Sequence, residues 1–426
     1  MLAFIHLHSV VRLINIALRC LTLLSKFLLI FFLARYLEPV DLGLYGLVIA
    51  TVSYAIYPLG FDFYTYSTRE ILKREQSDWG HLLKSQGVLH LLLYLIFLPI
   101  LSLAFVFDLL PWYLAPTFFV ILVLEHINQE LNRLLIAISK QLMASWVLFL
   151  RSGLWSLVVV VWMFYDPAAR TLQFVMAAWI TGGFLAVLLA GVVLYRLRLS
   201  GWRKDVDWPW LCHGLKVAIP LLVSTLALQG VLTFDRYWFE ALQGLEVLAA
   251  YVLFMSMGNA LLTFLDAGVF SFSYPKLIVN HSRRDSNGFR KNLIVSLLLC
   301  VLFIIVFISA ACLLIVPLLN ILDKPVYLLN ISIFYYVLLI VALYAVSMVP
   351  HYALYAQGYD KPIIYSHLAA FVLFLVVTWL LSGLIPNMAV LLGLIAAFST
   401  LLIWKSWAFY RLTPKSYRSA VDARAH

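Results

Sequence analysis

Long unbroken apolar runs dominate this sequence and leave it few ways to fold. About twelve of them reach the roughly 20 residues that cross a hydrocarbon layer. In the first half they lie near 13–37, 42–68, 82–107, 113–138, 142–165 and 171–195. In the second half they lie near 212–237, 246–273, 293–320, 327–356, 362–385 and 388–410. The connectors are short and leave no room for a soluble catalytic domain. Within lipid, backbone N–H and C=O groups must be satisfied inside one segment or in a closed barrel. Barrel strands alternate apolar and polar residues. These runs do not alternate, so they are read as helices. Of all residues 64% are apolar and 12% charged, against about 25% charged in soluble domains. Soluble, collagen-like, coiled-coil and disordered classes are excluded. The expected fold is an all-α integral membrane protein, with about twelve transmembrane helices in two six-helix lobes around a central cavity.

The basic residues orient it. With the N-terminus inside, Arg69, Lys73, Arg74, Lys84, Arg203, Lys204, Lys276, Arg283, Arg284 and the tail from Arg411 to Arg424 fall on the cytoplasmic side, while Arg35, Arg170 and Lys324 fall outside. Such a bias sets topology and predicts cytoplasmic termini. It also accounts for the net charge of +10 through attraction to anionic lipid heads, with no nucleic-acid partner. The opening residues lack a small-residue cleavage site and do not read as a removable signal peptide. Cys20, Cys212, Cys300 and Cys312 have no metal spacing and are read as small buried hydrophobes. No metal and no cofactor are expected.

The longest polar connector, 196–211, divides the chain into an N-terminal six-helix lobe, 1–200, and a C-terminal one, 201–426, with a short tail. The spacing from Tyr45 to Ser67 repeats from Tyr251 to Ser273, each followed by a basic loop. Two lobes in the same orientation predict parallel repeats with a substrate site between them near the bilayer midplane.

Ionisable residues at membrane depth carry the functional signal. Each costs about 2.5–3.5 kcal/mol if left in lipid, so each should face water, a partner or a ligand. At about 100° per residue, Arg12, Asn15, Arg19, Thr22 and Lys26 share one face of the first span. Thr51, Tyr54, Pro58, Asp62, Thr65, Tyr66 and Arg69 share a face of the second, and Glu125, Asn128, Gln129, Asn132 and Arg133 one of the fourth. The eighth carries Ser256, Asn259, Thr263, Asp266 and Ser273. The seventh carries Thr225, Gln229 and Arg236 with Asp235 off the face, and the fifth only Arg151. Lone Ser and Thr are equally read as helix–helix contacts worth about 0.6 kcal/mol, Arg12 as snorkelling to the interface, Glu125 with Arg133 as an internal ion-pair chain, and His126 and His351 as hydrogen-bonded packing residues. Arg19 and Lys26, two like cations on one face, suit an anion such as phosphate. Candidate substrate-binding residues are therefore Arg19, Lys26, Asp62, Tyr66, Arg69, Glu125, Asn132, Arg133, Arg151 and Arg236. Candidate ion-coupling acids are Asp62, Glu125, Asp235 and Asp266, exchanging a proton or a sodium ion. Tyr54, Tyr64 and Tyr66 have the chemistry to pack on sugar rings.

The run Leu33 to Glu70 resembles the opening of bacterial polysaccharide (O-antigen) flippases, through Ala34, Arg35, Leu37, Asp41, Gly43, Tyr45, Gly60, Phe61, Asp62 and Arg69. Lys216 to Pro220, Asp235-Arg236 and the turn from Gln357-Gly358 to Lys361 are similar too. The resemblance implies the two-bundle fold of the multidrug/oligosaccharidyl-lipid/polysaccharide exporter superfamily. It implies transfer of an undecaprenyl-diphosphate-linked oligosaccharide across the bacterial inner membrane by alternating access, with membrane lipids and other polysaccharide-assembly proteins as partners. Two alternatives stand beside it. An ion-coupled multidrug or organic-cation exporter of the same fold should have a net acidic cavity, which the cationic first span opposes. A membrane-embedded glycan polymerase or acyltransferase should have large outer loops, and no catalytic motif is visible, so no enzyme is expected.

Overall fold

The computed structural model describes the backbone from Leu2 to Arg418 and the side chains from Leu13 to Tyr417. Arg12, Arg418 and Arg424 lie outside the described side chains. Among the described residues every regular element is helical. Ten helical stretches are long and apolar enough to cross a membrane. One of them, Trp208–Ser282, is two spans folded back at Gly244. A further helix, Ala115–Ala137, has spanning length but carries Glu125, Glu130 and Arg133. Together these account for the twelve spans expected. The protein is a multi-pass membrane protein.

The chain divides into two compact units, Met1–Val223 and Ser224–His426. In the first, α1 (Leu2–Tyr36), α2 (Pro39–Gly60), α3 (Tyr64–Lys73), α4 (Trp79–Val106), α5 (Ala115–Ala137), α6 (Gln141–Leu148), α7 (Trp155–Tyr165) and α8 (Leu172–Arg196) follow in order. Helix starts follow local chemistry. Pro39 and Asp41 occupy the first turn of α2, where a missing N–H and a negative charge both suit the helix terminus. Thr171 caps α8 by accepting from the Phe174 N–H at 3.3 Å. Between α6 and α7, Phe149–Leu154 forms a π-helical turn. α5 packs along α2 and α8, and α1 along α6, the π turn and α7. The polar connector folds onto the start of α4. Lys84 donates to the Lys204 carbonyl at 2.9 Å, Gly80 N–H to the Ser200 carbonyl at 3.0 Å, and Trp210 sits edge-on to Phe63 with centroids 5.2 Å apart. These contacts place the connector and the first turns of α9 with the first unit.

In the second unit α9 (Trp208–Leu265) continues through a π turn at Asp266–Phe270 into α10 (Ser271–Ser282). Then come α11 (Ser286–Leu322), α12 (Pro325–Leu329), α13 (Ile331–Ala356), α14 (Asp360–Ser382), α15 (Pro386–Leu412) and α16 (Lys415–Arg418). α15 packs along both α13 and α14. The outer faces are apolar: Leu298, Ile305 and Leu313 are all exposed, as befits surfaces that meet hydrocarbon. This corrects the cysteine reading. Cys300 is buried, but Cys20, Cys212 and Cys312 are exposed. In a membrane an apolar side chain gains nothing by turning inward.

The reversal inside α9 needs Gly244. Its φ of 78° and ψ of 170° fall in a region essentially confined to glycine. Across the reversal, Tyr251 donates its hydroxyl to Asp235 at 2.5 Å and stacks on Phe239 at 4.7 Å. Gly244→Ala should lower stability by about 1–3 kcal/mol, read as an earlier unfolding midpoint in detergent. Gly383→Ala, at a site with ordinary φ and open space, should leave the midpoint unchanged. Equal effects would show that the backbone at Gly244 is not the cause.

Candidate functional site

Several candidate residues of the first unit gather in two clusters strung along α5. The upper cluster centres on Glu125, which is buried. Arg151 grips its carboxylate with two nitrogens, Nε at 2.7 Å and one terminal nitrogen closer still. Trp179 Nε1 donates to its other oxygen at 2.7 Å. Trp155 stacks on Trp179 with centroids 5.8 Å apart and donates its own Nε1 to the Arg151 carbonyl at 2.7 Å. Arg151 sits within the π turn, an irregularity found frequently at functional sites. Two guanidinium nitrogens on one carboxylate oxygen and an indole N–H on the other leave neither oxygen unsatisfied, which is what makes a buried ion pair tolerable.

Lys26 lies in the electrostatic field of both Arg151 and Glu125. It keeps accessible surface and makes no ion pair of its own among the described residues. Further along α1, Arg19 Nε reaches Ser145 Oγ at 3.4 Å, and Ser145 in turn donates to Asn15. Thr22, between the two cations, is buried, turns its hydroxyl to the Leu18 carbonyl, and packs close to Gly153 of the π turn. The polar face of α1 is therefore not an open wall along its length. Its middle is packed against the π turn, while Arg19 and Lys26 keep accessible surface.

The lower cluster lies nearer the basic end of the unit. Glu130 accepts from Gln86 at 2.9 Å and from Arg133 at 2.7 Å. The Arg133 guanidinium lies over the Tyr64 ring, 3.5 Å from its centroid, a cation–π contact. Asp62 is buried close enough to Glu130 and Tyr64 to act on them electrostatically. It sits in a left-handed pair with Phe61, at φ of 48° and 54°, just after Gly60. A Cβ at Gly60 would come 2.8 Å from His126 Nε2, so glycine lets α2 close on α5. His126 Nδ1 meets the Tyr94 hydroxyl at 2.6 Å, and His90 lies edge-on to His126 at 4.8 Å. A cavity of about 260 Å³ opens here, lined among others by Tyr64, Gln86, His90, Glu130, Arg133 and Trp202.

The ion-pair chain drawn from Glu125 to Arg133 is replaced by two separate pairs, Glu125–Arg151 and Glu130–Arg133. Glu130, the residue missing from the expected set, lies about 140° from Glu125 in helical phase and so off the stripe. Its i,i+3 spacing to Arg133 was the available signal. Other candidates stand apart. Asn132 ties α5 to α6 by donating to the Ala144 carbonyl at 2.7 Å. Tyr66 packs with Phe63, Trp210 and His213, and Arg69 is exposed on α3. Asp235 and Arg236 belong to the second unit, where both Asp235 oxygens are used, by Tyr251 and by the Arg236 N–H at 2.7 Å. Asp266 is exposed in its π turn and accepts from Tyr352 at 3.4 Å. No group of three or more His, Cys, Asp or Glu among the described residues is placed to hold a metal ion.

No protein-family model matches this sequence, and no curated protein matches it. Solved structures do. A multidrug resistance MATE family transporter of the MOP superfamily, in its inward-facing conformation, aligns with a TM-score of 0.76 at 12% identity, over 96% of this chain and 99% of that one. The MATE multidrug transporter DinF-BH, in complex with rhodamine 6G, aligns with a TM-score of 0.67 at 14% identity, over 96% of each chain. A MOP superfamily transporter from Pyrococcus furiosus, described by a reversed polarity of its binding pocket that suggests a different function, aligns with a TM-score of 0.58 at 13% identity over 95% of each. At such identities the likeness is one of architecture: the chain has the two-lobed helical fold of the MATE transporters.

Proposed function

We infer that this protein is a membrane transporter whose cargo is an amphipathic anion, an undecaprenyl-diphosphate-linked oligosaccharide carried across the bacterial inner membrane. The observation that carries the reading is the surplus of positive charge in the upper part of the first unit. Glu125 is consumed by Arg151 and Trp179. Lys26 and Arg19 remain accessible, and among the described residues neither has an ion-pair partner. A diphosphate supplies the missing charge and accepts several charge-assisted hydrogen bonds. The resemblance of Leu33–Glu70 to polysaccharide flippases supports the same cargo, and the basic connectors support termini on the cytoplasmic side.

A second reading, export of an organic cation, has its own support. The solved neighbours are multidrug transporters, and on fold likeness alone this reading has more behind it. The lower cavity joins an acid, Glu130, to Tyr64 and Trp202, a combination that suits a flat cation. Against it, Arg133 already neutralises Glu130. Fold does not fix cargo, and the Pyrococcus furiosus relative is described by a reversed pocket polarity.

The two readings part in nanodiscs. Undecaprenyl diphosphate should raise the unfolding temperature of the wild type and rhodamine 6G should not. Arg19→Gln with Lys26→Gln should weaken the lipid's effect about tenfold or more, because a hydrogen bond to a charged group is worth about 1.5–3 kcal/mol. Both side chains are accessible, so the variant should fold. Stabilisation by rhodamine 6G alone would sink the anionic reading and favour the exporter. The Glu125–Arg151 pair should behave differently. Glu125→Gln leaves Arg151 buried without its counter-charge and should cost about 3 kcal/mol or more. Glu125→Gln with Arg151→Gln should recover most of that loss, read from denaturation midpoints in detergent. A silent single substitution would mean that the pair is solvated.

A further inference from the structure

The second unit holds three nitrogens that the transport reading above does not use. Lys405, on α15, is completely buried, and its Nζ has no hydrogen-bond partner. His367 on α14 and His351 on α13 stack in parallel, with centroids 6.1 Å apart and planes 8° apart. Both imidazoles feel the charge of Lys405. His367 uses Nδ1 on Ser224 Oγ at 2.9 Å, and its Nε2 is unpartnered. His351 Nδ1 is unpartnered too, and the ring's other neighbours are Tyr352 and Tyr355. Orphaned buried polar atoms are uncommon, and three in one place from three packed helices point to something they share.

The charges around them limit what that is. Facing the cluster are Lys405 from α15, His367 from α14, His351 with Tyr352 and Tyr355 from α13, and the uncharged Ser224 from α9. Among the described residues no carboxylate bonds to any of the three nitrogens. Asp235 is taken by Tyr251 and the Arg236 N–H, and Asp266 meets Tyr352 on its own side. An ammonium left alone in such a place is expensive, and two or three positive charges there more so. One positive charge can be carried on one of the three bases, while a second beside it adds like-charge repulsion. Zero or one proton are the two states the site permits.

We propose that Lys405, His351 and His367 form a one-proton site in the second unit and that the proton is the ion coupled to transport. This rests on the transport reading above and deepens it. It places the coupling ion on nitrogen bases of α13, α14 and α15 rather than on Asp62, Glu125, Asp235 or Asp266. Loading the site adds one positive charge to the seam where α15 packs on α13 and α14, so the packing of these helices differs between the two states.

Two measurements test it. The first needs no cargo. Potentiometric titration of the purified protein between pH 9 and pH 5 is compared with the triple variant Lys405→Met, His351→Gln, His367→Gln, with Lys405→Met alone as the check should the triple variant not fold. The expected difference is one proton per chain for the triple variant, and for Lys405→Met, which leaves the two imidazoles to carry the proton, uptake of the same one proton at lower pH. A difference of none, or of two or three, in the triple variant overturns the proposal, as does an unshifted uptake in Lys405→Met. The second uses proteoliposomes with an imposed pH gradient and whichever of undecaprenyl diphosphate or rhodamine 6G the wild type moves. Lys405→Met should abolish the acceleration by the gradient and leave the probe-induced shift in unfolding temperature unchanged. Lys405→Arg should not restore the acceleration, because a guanidinium does not release its proton. Full acceleration in Lys405→Met overturns the coupling role. If the wild type moves neither probe, the transport reading fails, while the titration still decides whether the one-proton site exists.

Discussion

The first unit is organised by the need to satisfy one carboxylate at membrane depth. Glu125 lies near the middle of α5, where an unpaired charge would oppose membrane insertion. Its satisfaction draws in three elements at once: the π turn with Arg151, α8 with Trp179, and α7 with Trp155 stacked on that indole. Tyr45 of α2 closes on Trp179 at 6.3 Å. Helices in lipid have no hydrophobic force to bring them together and associate through packing and polar contacts. A buried pair that binds three helices therefore sets the geometry around it, and the position of Lys26 beside the pair follows from that geometry.

How far this was legible in the sequence depends on the kind of information involved. Twelve spans were readable because a hydrophobic run of fixed length is a local property. The helix reversal at Gly244 and the charged fourth span, α5, follow the same reading even though neither forms a simple apolar helix. Polar stripes were readable as stripes, since helical phase is also local. Partner choice was not. The sequence pairs Glu125 with Arg133 on one helix, whereas tertiary packing brings Arg151 from a different span and leaves Arg133 to Glu130. Tyr66 and Asn132 shared faces with ionisable residues, yet aromatic packing and a helix–helix hydrogen bond absorb them. The outward cysteines were misread because the inside-out apolar rule of soluble proteins fails when the solvent is hydrocarbon.

Each unit carries a π turn at an ionisable residue of a spanning helix: Phe149–Leu154 at Arg151 in the first, Asp266–Phe270 at Asp266 in the second. A π turn is a single-turn i→i+5 irregularity found frequently at functional sites. In the first unit the Arg151 carbonyl accepts from the Trp155 indole, so the turn is tied into the same network as the ion pair. In the second, Asp266 stays exposed and holds only a long contact to Tyr352. The same backbone device thus yields a locked ion pair in one unit and an accessible acid in the other.

That contrast bears on where a coupling ion can act. A group that cycles between two protonation states must not be pinned in either by fixed partners. Glu125 is pinned by a guanidinium and an indole, and Asp235 by a phenol and a backbone N–H. Either would have to break several hydrogen bonds to change its charge, and a buried half-broken network is costly. Lys405 and the two histidines are held by almost nothing: a single hydroxyl, Ser224, binds one ring. Their helices already pack tightly along each other, so a change of one charge among them acts on a seam rather than on a surface. In a membrane, freedom from fixed partners is scarce among buried groups, and among the described buried groups of the second unit the nitrogen cluster has it while Asp235 does not.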